Sequence, residues 1–391
     1  MTSAAPISRN VRKLGVVSLL TDLSSEMLYA VVPLYVTEVL GAPISVVGLI
    51  EGIAESTAST LKAVSGWLSD RTRRRRPFAL AGYVLSALAN PLLALAGSWV
   101  WVLGARLADR TGKGLRGPAR DALIADSTPP EHRGRAFGFH RAMDTTGAVI
   151  GPLIALVAIS WFDLGYVELF LFAVVPAVAG VVVFTRVVEI RGPGPEFPAK
   201  GGGLEVSPEL FRFLVVTALF AIGNSSNVFL LLRARDLGWS TEGVLGLYVI
   251  YNLTYAAAAM PAGSLSDRIG RRRVLLGGFA LSGFVYAGFA IADNALYAVP
   301  LLALYGLYAA AFAGAGRAYV ADLAPRGNIA TAMGLYQSVT GALVLVASLV
   351  AGALWDRFGA AAPFAFGAAM SLTAASLFAT SCRQARARPT D

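Results

Sequence analysis

Apolar residues run through this chain in blocks of around 20, each closed by a short stretch rich in Gly, Pro, Arg and Asp. A block of that length matches the hydrocarbon thickness of a bilayer, and lipid leaves a spanning segment no way to satisfy its backbone except as a helix or a closed barrel. Their period predicts helical spans at roughly 14–38, 44–66, 77–97, 99–121, 135–159, 165–188, 209–232, 242–262, 274–292, 296–320, 330–354 and 361–380. The expectation is an all-α membrane protein that crosses the bilayer twelve times. The first block carries Asp22, Ser24, Ser25 and Glu26 and is followed by no small-residue cleavage site, so it is expected to stay in the mature protein rather than act as a signal peptide.

Composition agrees with that pattern. Of 391 residues, 56% are hydrophobic and 15% charged, and mean hydropathy is +0.62, more apolar surface than a soluble globule can hide. The net charge of +9 would suit a nucleic-acid partner if it lay on a soluble face. It lies instead in alternate loops. Arg9, Arg12 and Lys13, Arg71 and Arg73 to Arg76, Arg133 and Arg135, Arg191 and Lys200, Arg268 and Arg271 to Arg273, Arg326, and Arg383, Arg386 and Arg388 share one side, against Arg233, Arg235 and Arg357 on the other. Positive residues stay inside, so both termini are expected in the cytoplasm, the chain in a bacterial inner membrane, and no nucleic acid as partner. The single Cys382 rules out an internal disulfide framework and a multi-Cys metal site, and two histidines, His132 and His140, do not make a metal centre.

The chain repeats itself. Gly66-Trp-Leu-Ser-Asp70-Arg71-Thr-Arg-Arg74 follows the second span and Gly263-Ser-Leu-Ser-Asp267-Arg268-Ile-Gly-Arg271 the eighth, an offset of 267 − 70 = 197. Ala125-Asp126 and Ala321-Asp322 recur at 322 − 126 = 196. Two six-helix bundles, 1–188 and 209–380, are therefore expected, joined by a Gly/Pro-rich cytoplasmic linker at 189–208 and followed by a tail at 381–391. An even offset in spans keeps the copies in one orientation, with a cavity expected between them.

The doubled loop resembles the signature loop of the major facilitator superfamily, and the resemblance covers essentially the whole chain. It implies a secondary transporter, and a cytoplasmic latch in each half: Gly66, Asp70, Arg71 and Arg74 in one, Gly263, Asp267, Arg268 and Arg271 in the other. Gly147-Ala-Val-Ile-Gly151-Pro152 is similar to the GxxxGP core of the family's antiporter signature, which implies export. The paired glycines that usually follow are replaced by Leu153, Ile154 and Ala155, and GxxxG is also common as plain helix packing.

Ionisable residues inside a membrane are costly and point to function. Asp22 and Glu26 lie four apart on one face of the first span, Glu51 and Glu55 on one face of the second. The fourth span holds Arg106, Asp109, Lys113, Arg116 and Arg120, and the fifth His140, Arg141 and Asp144. At 1.5 Å per residue, Asp144 and Lys113 fall roughly 13 Å from the cytoplasmic ends of their helices and Arg141 and Arg116 roughly 9 Å, so facing pairs are expected. Asp109 with Lys113, and Arg116 with Arg120, have the i,i+4 spacing of a self-neutralising ladder. In the family, spans one, four and five line the cavity, and their surplus of cations suits an anionic group. Asp22, Glu26, Glu51, Glu55 and Asp144 are the expected proton carriers, since a carboxyl desolvated in a membrane cavity can exchange a proton as access alternates.

The second half offers Asn224, Asn227, Tyr251, Asn252, Tyr255, Arg317, Tyr336 and Gln337 as hydrogen-bonding groups for a solute. The expectation is a monomeric, cofactor-free, proton-driven exporter of a small organic solute. Import of an anionic metabolite, export of a divalent metal ion, and a sensor or lipid flippase remain alternatives. No Ser/His/Asp set, metal-ligand trio or phosphate loop indicates an enzyme.

Overall fold

The structure, a computed structural model, describes residues 7–72, 74–129, 133–189, 207–323 and 329–386. Among them it is almost wholly helical, with no strand. The helices are α1 (Arg9–Tyr29), α2 (Val31–Leu34), α3 (Ile44–Thr72), α4 (Arg76–Ala94), α5 (Trp99–Asp126), α6 (Arg133–Phe162), α7 (Tyr166–Phe172), α8 (Val174–Thr185), α9 (Pro208–Gly223), α10 (Val228–Asp236), α11 (Thr241–Ile269), α12 (Arg271–Ile291), α13 (Ala298–Leu323), α14 (Ile329–Phe358) and α15 (Ala362–Arg386), with a π-turn at Tyr35–Val39 after α2. Nine helical runs among the described residues are long and apolar enough to cross a membrane. The helices α3, α5 and α11, of 29, 28 and 29 residues, lie outside that set.

Two compact units emerge, residues 1–42 with 53–198 and residues 43–52 with 199–391. In the first, α1 lies along α6 and α8, and α4 along α5. Its core joins Val11, Leu14 and Val17 of α1 to Tyr83 of α4, Leu123 and Ile124 of α5 and Phe184 of α8. The second unit packs α9 on α14 and α15, α11 on α13, and α12 on α13 and α15, around edge-to-face aromatics such as Phe220 and Phe279 at 4.9 Å. Large apolar side chains such as Trp161 and Ile291 stand more than 80% exposed, a surface suited to lipid rather than water.

Several boundaries differ from those expected. The second span does not stop near 66: α3 runs on to Thr72 and α11 to Ile269, so Gly66, Asp70 and Arg71, like Gly263, Asp267 and Arg268, sit in the last turns of helices, not in loops. Hydropathy ends where the lipid ends, whereas helical hydrogen bonding carries on into the polar zone, in α11 even past Pro261. Arg233, expected in a loop, belongs to α10 and is 8% exposed. Its Nε donates to Phe289 O (3.2 Å), its Nη2 to Ala292 O (2.8 Å), and it pairs with Asp236. The linker at 190–206 and the tail beyond Arg386 lie outside the described residues, as do Arg191, Lys200 and Arg326.

Candidate functional site

The polar centre of the first unit lies where α1 crosses α6, and glycines make the crossing close. A Cβ at Gly147 would stand 2.6 Å from Leu19 O and 3.1 Å from Asp22 Cβ; one at Gly151 would stand 2.7 Å from Leu23 O and 3.2 Å from Glu26 Cβ. The GxxxGP stretch therefore packs on the α1 face that carries Asp22 and Glu26, joining two features that the sequence presents separately. Just along the crossing, Ser18 Oγ donates to Asp144 Oδ1 at 2.5 Å, and Arg141 Nη1 lies 3.2 Å from Asp144 Oδ2. Asp22 lies on the α1 face that packs at Gly147, three residues along α6 from Asp144, with Asp144, Lys113 and Glu26 as its charged neighbours. Two carboxyls sharing one site repel while both are charged, and a proton on either relieves that repulsion.

The α5 charges mostly turn inward. Arg110, 3% exposed, sets its Nε 2.9 Å from Glu55 Oε1 and its Nη1 3.7 Å from Asp109. Arg116, equally buried, donates to Ser86 Oγ and lies over the Tyr83 ring, 5.1 Å from its centroid. Arg120 pairs with Asp121 at 2.9 Å, and Arg106 is 6% exposed. The close approach of α4 and α5 at Gly82 and Gly112, where either Cβ would meet the other's carbonyl oxygen at 2.4–2.5 Å, holds these guanidiniums between helices. Asp144 thus joins Ser18, Arg141 and Asp22, and Arg116 joins α4, in place of the expected Asp144–Lys113 and Arg141–Arg116 pairs.

His140 is 4% exposed and its Nε2 is buried without a hydrogen-bond partner. Glu51, 2% exposed, sits on the part of α3 that belongs to the second unit. Ser24, between Asp22 and Glu26, ties helices together. Its hydroxyl donates to Ala173 O (2.7 Å) at the α7–α8 break and accepts from Asn90 Nδ2 (2.8 Å). Among the described residues no group of three His, Cys, Asp or Glu side chains is placed to hold a metal ion.

In the second unit the polar run predicted inside a continuous span is a break. Residues 224–227 are non-helical between α9 and α10. Tyrosines hold it. Tyr305 OH donates to Asn227 Oδ1 (2.8 Å), Tyr286 OH to Asn224 Oδ1 (3.2 Å), Asn227 Nδ2 to Tyr251 OH (3.2 Å) and Asn224 Nδ2 to Tyr308 OH (3.4 Å). Broken helices of this kind are common around transporter solute sites. Asn252 is buried with Nδ2 unpartnered, Tyr255 is half-buried, Arg317 and Gln337 are exposed. Tyr286, Tyr305 and Tyr308 carry no sequence signal beyond apolar helical spacing.

The repeat has a matching pair of ion pairs that sequence reasoning missed. Arg75 Nε lies 2.8 Å from Asp126 Oδ2, and Arg271 pairs with Asp322 while its Nη1 donates to Ala318 O (2.8 Å). Both partners recur at 271 − 75 = 322 − 126 = 196, the signal that would have found them. Of the expected latch residues, Arg74 and Arg268 are exposed. The side chains of Asp70, Arg71 and Asp267 lie outside the described residues.

The sequence model of the Major Facilitator Superfamily matches residues 14–232 and 213–390. An uncharacterized MFS-type transporter of Methanocaldococcus jannaschii is 35% identical over 373 residues, 94% of this chain and 93% of its own length. The multidrug resistance protein MdtH of Photorhabdus laumondii is 33% identical over 138 residues, 35% of this chain and 34% of its own. Among solved structures, a POT family transporter in complex with 5-aminolevulinic acid superposes with a TM-score of 0.82 over 96% of both chains at 14% identity, a likeness of fold alone.

Proposed function

Because the chain belongs to the Major Facilitator Superfamily and is thereby a membrane transporter in type, we propose that it exports a small organic solute in exchange for protons, by alternating access. The observation that carries this reading is the α1–α6 crossing, which packs the Asp22 face of α1 on α6 beside Asp144, itself held by Ser18 and Arg141. A carboxyl pair that needs one proton to stay together can take it up from one side and lose it when Arg141 or water displaces the partner. Asp22 and Asp144 carry the proton in this reading, and Glu26, one turn along α1, attracts it. The export direction draws support from the GxxxGP packing on this same face and from the partial likeness to a multidrug resistance protein.

The paired guanidiniums of α5 weigh against a reading in which they bind an anionic metabolite, since Arg110, Arg116 and Arg120 already have partners. The proton-driven test uses everted membrane vesicles, energised by respiration, with acridine orange reporting the pH gradient. A panel of organic solutes, ethidium among them, should include at least one that releases the quench in the wild type but not in Asp22→Asn or Asp144→Asn. Release that persists undiminished in both variants would refute the assignment.

A further inference from the structure

The two Arg–Asp pairs differ in what lies beside them. In the first unit α4 has no side-chain cap of its own and no acid in its first turn. The carboxylate of Glu189 stands in, accepting the backbone N–H of Arg75 and, at 3.4 Å, that of Arg76. Ser69, 1% exposed, accepts from Arg75 Nη1 at 3.4 Å. A negative group thus occupies a helix N-terminus, where free N–H groups and the helix dipole favour it.

Among the described residues, the second unit has the same cradle without that acid. Counting 196 residues on from Glu189 gives Ala385, flanked by Arg383 and Arg386. Helix α12 starts from Gly270, which makes no side-chain cap, and its first residues are three arginines. Here a cavity of about 520 Å³ opens, lined by Ser266, Arg271, Arg272, Arg273, Tyr319 and Asp322 among others. Ser266 is the counterpart of Ser69, by 266 − 69 = 197. It is 3% exposed and its Oγ has no hydrogen-bond partner; the buried Nε of Arg272 has none either. Three cations face one carboxylate, and Asp322 is already paired with Arg271.

We propose that this cavity binds the phosphate of an anionic membrane lipid, in the place that the Glu189 carboxylate fills in the first unit. Guanidinium forks and helix N–H groups suit a tetrahedral oxyanion. The cavity lies at the polar end of an apolar, membrane-length helix, the depth at which headgroups are found. A free phosphate shares the chemistry, so the test separates the sources.

The purified full chain is placed in phosphatidylcholine nanodiscs, and its melting temperature is followed as phosphatidylglycerol replaces phosphatidylcholine, or as inorganic phosphate is added to the buffer. Phosphatidylglycerol should raise the melting temperature, with half-saturation shifted roughly fivefold for each arginine lost in Arg272→Gln and Arg272→Gln/Arg273→Gln. Ser266→Ala should also weaken the response, and it guards against a double variant that fails to fold. An identical titration in Arg272→Gln and Ser266→Ala would overturn the site. A response to inorganic phosphate with none to phosphatidylglycerol would overturn the lipid assignment.

Discussion

The close contact of α1 and α6 permits a prediction with its own controls. Alanine at Gly147 or Gly151 places a methyl 2.6–2.7 Å from a carbonyl oxygen of α1, where ordinary contact begins at 3.4 Å. Backbone is on the receiving side, so α1 must retreat by several tenths of an ångström. Overpacking of this kind costs about 1–3 kcal/mol. Replacing a helical glycine by alanine also gains up to about 1 kcal/mol of helix propensity, which would blur the result at a single site. Gly138 of α6 and Gly104 of α5 remove that ambiguity, because a Cβ at either meets nothing within 4 Å. The propensity gain is common to all four sites and cancels in the difference. Crowded and open sites should therefore differ by about 1–3 kcal/mol, or roughly 2–12 °C in melting temperature at about 2–4 °C per kcal/mol for a unit of this size. Tryptophan-fluorescence melting of the purified protein measures it. If Gly147→Ala and Gly151→Ala melt with Gly138→Ala, the contact is not what holds α1 and α6 together. The same two variants should also blunt proton exchange in vesicles, because the retreat carries Asp22 away from Asp144.

Arg75 and Asp126, each less than one-fifth exposed at the side chain, should show a coupling of about 0.5–2 kcal/mol in a double-mutant cycle built from Arg75→Gln and Asp126→Asn; additive losses would mean that the pair contributes nothing in common. Arg233→Lys keeps the charge but not the fork that reaches Phe289 O and Ala292 O. It should lose about 2–4 kcal/mol in denaturant or thermal unfolding, and a variant as stable as wild type would show that a point charge suffices there. Tyr305→Phe removes the 2.8 Å donor to Asn227; faster amide exchange confined to residues 224–230 is the expected sign, and unchanged exchange would show that the tyrosines do not hold the break.

The membrane class and the helical fold were legible because each is written in periodicity, which needs no knowledge of contacts. The acids Asp22 and Asp144 were legible as charges out of place, and Gly147 and Gly151 as a motif. Which charges meet was not. Helical rise puts Asp144 level with Lys113, yet rotation about the helix axis decides the partner, and a glycine crossing turns Asp144 toward Ser18 and Asp22. The break at 224–227 escaped for a related reason. Asn and Ser occur in continuous helices as well as in unwound turns, and what selects the turn here is a ring of tyrosines on α11, α12 and α13, distant in sequence. Arg233 escaped because a guanidinium satisfied by carbonyls looks, in sequence, like one satisfied by water.

Gly270 has a consequence for how the two halves should be compared. The serines and aspartates of the doubled stretch recur at 197, but Arg75 and Asp126 recur at 196, so the first half has a residue more between Asp70 and Arg75 than the second has between Asp267 and Arg271. In the second half a single residue, Gly270, joins α11 to α12, at φ +92°, a conformation that side-chain-bearing residues rarely adopt. Any alignment of the halves without a gap is therefore out of phase on one side of this turn and will match Arg75 with Arg272 instead of its true counterpart. The phase slip also predicts which edits each turn tolerates: a residue can be inserted at Gly270 with the helices still in register, whereas a substitution there meets backbone strain.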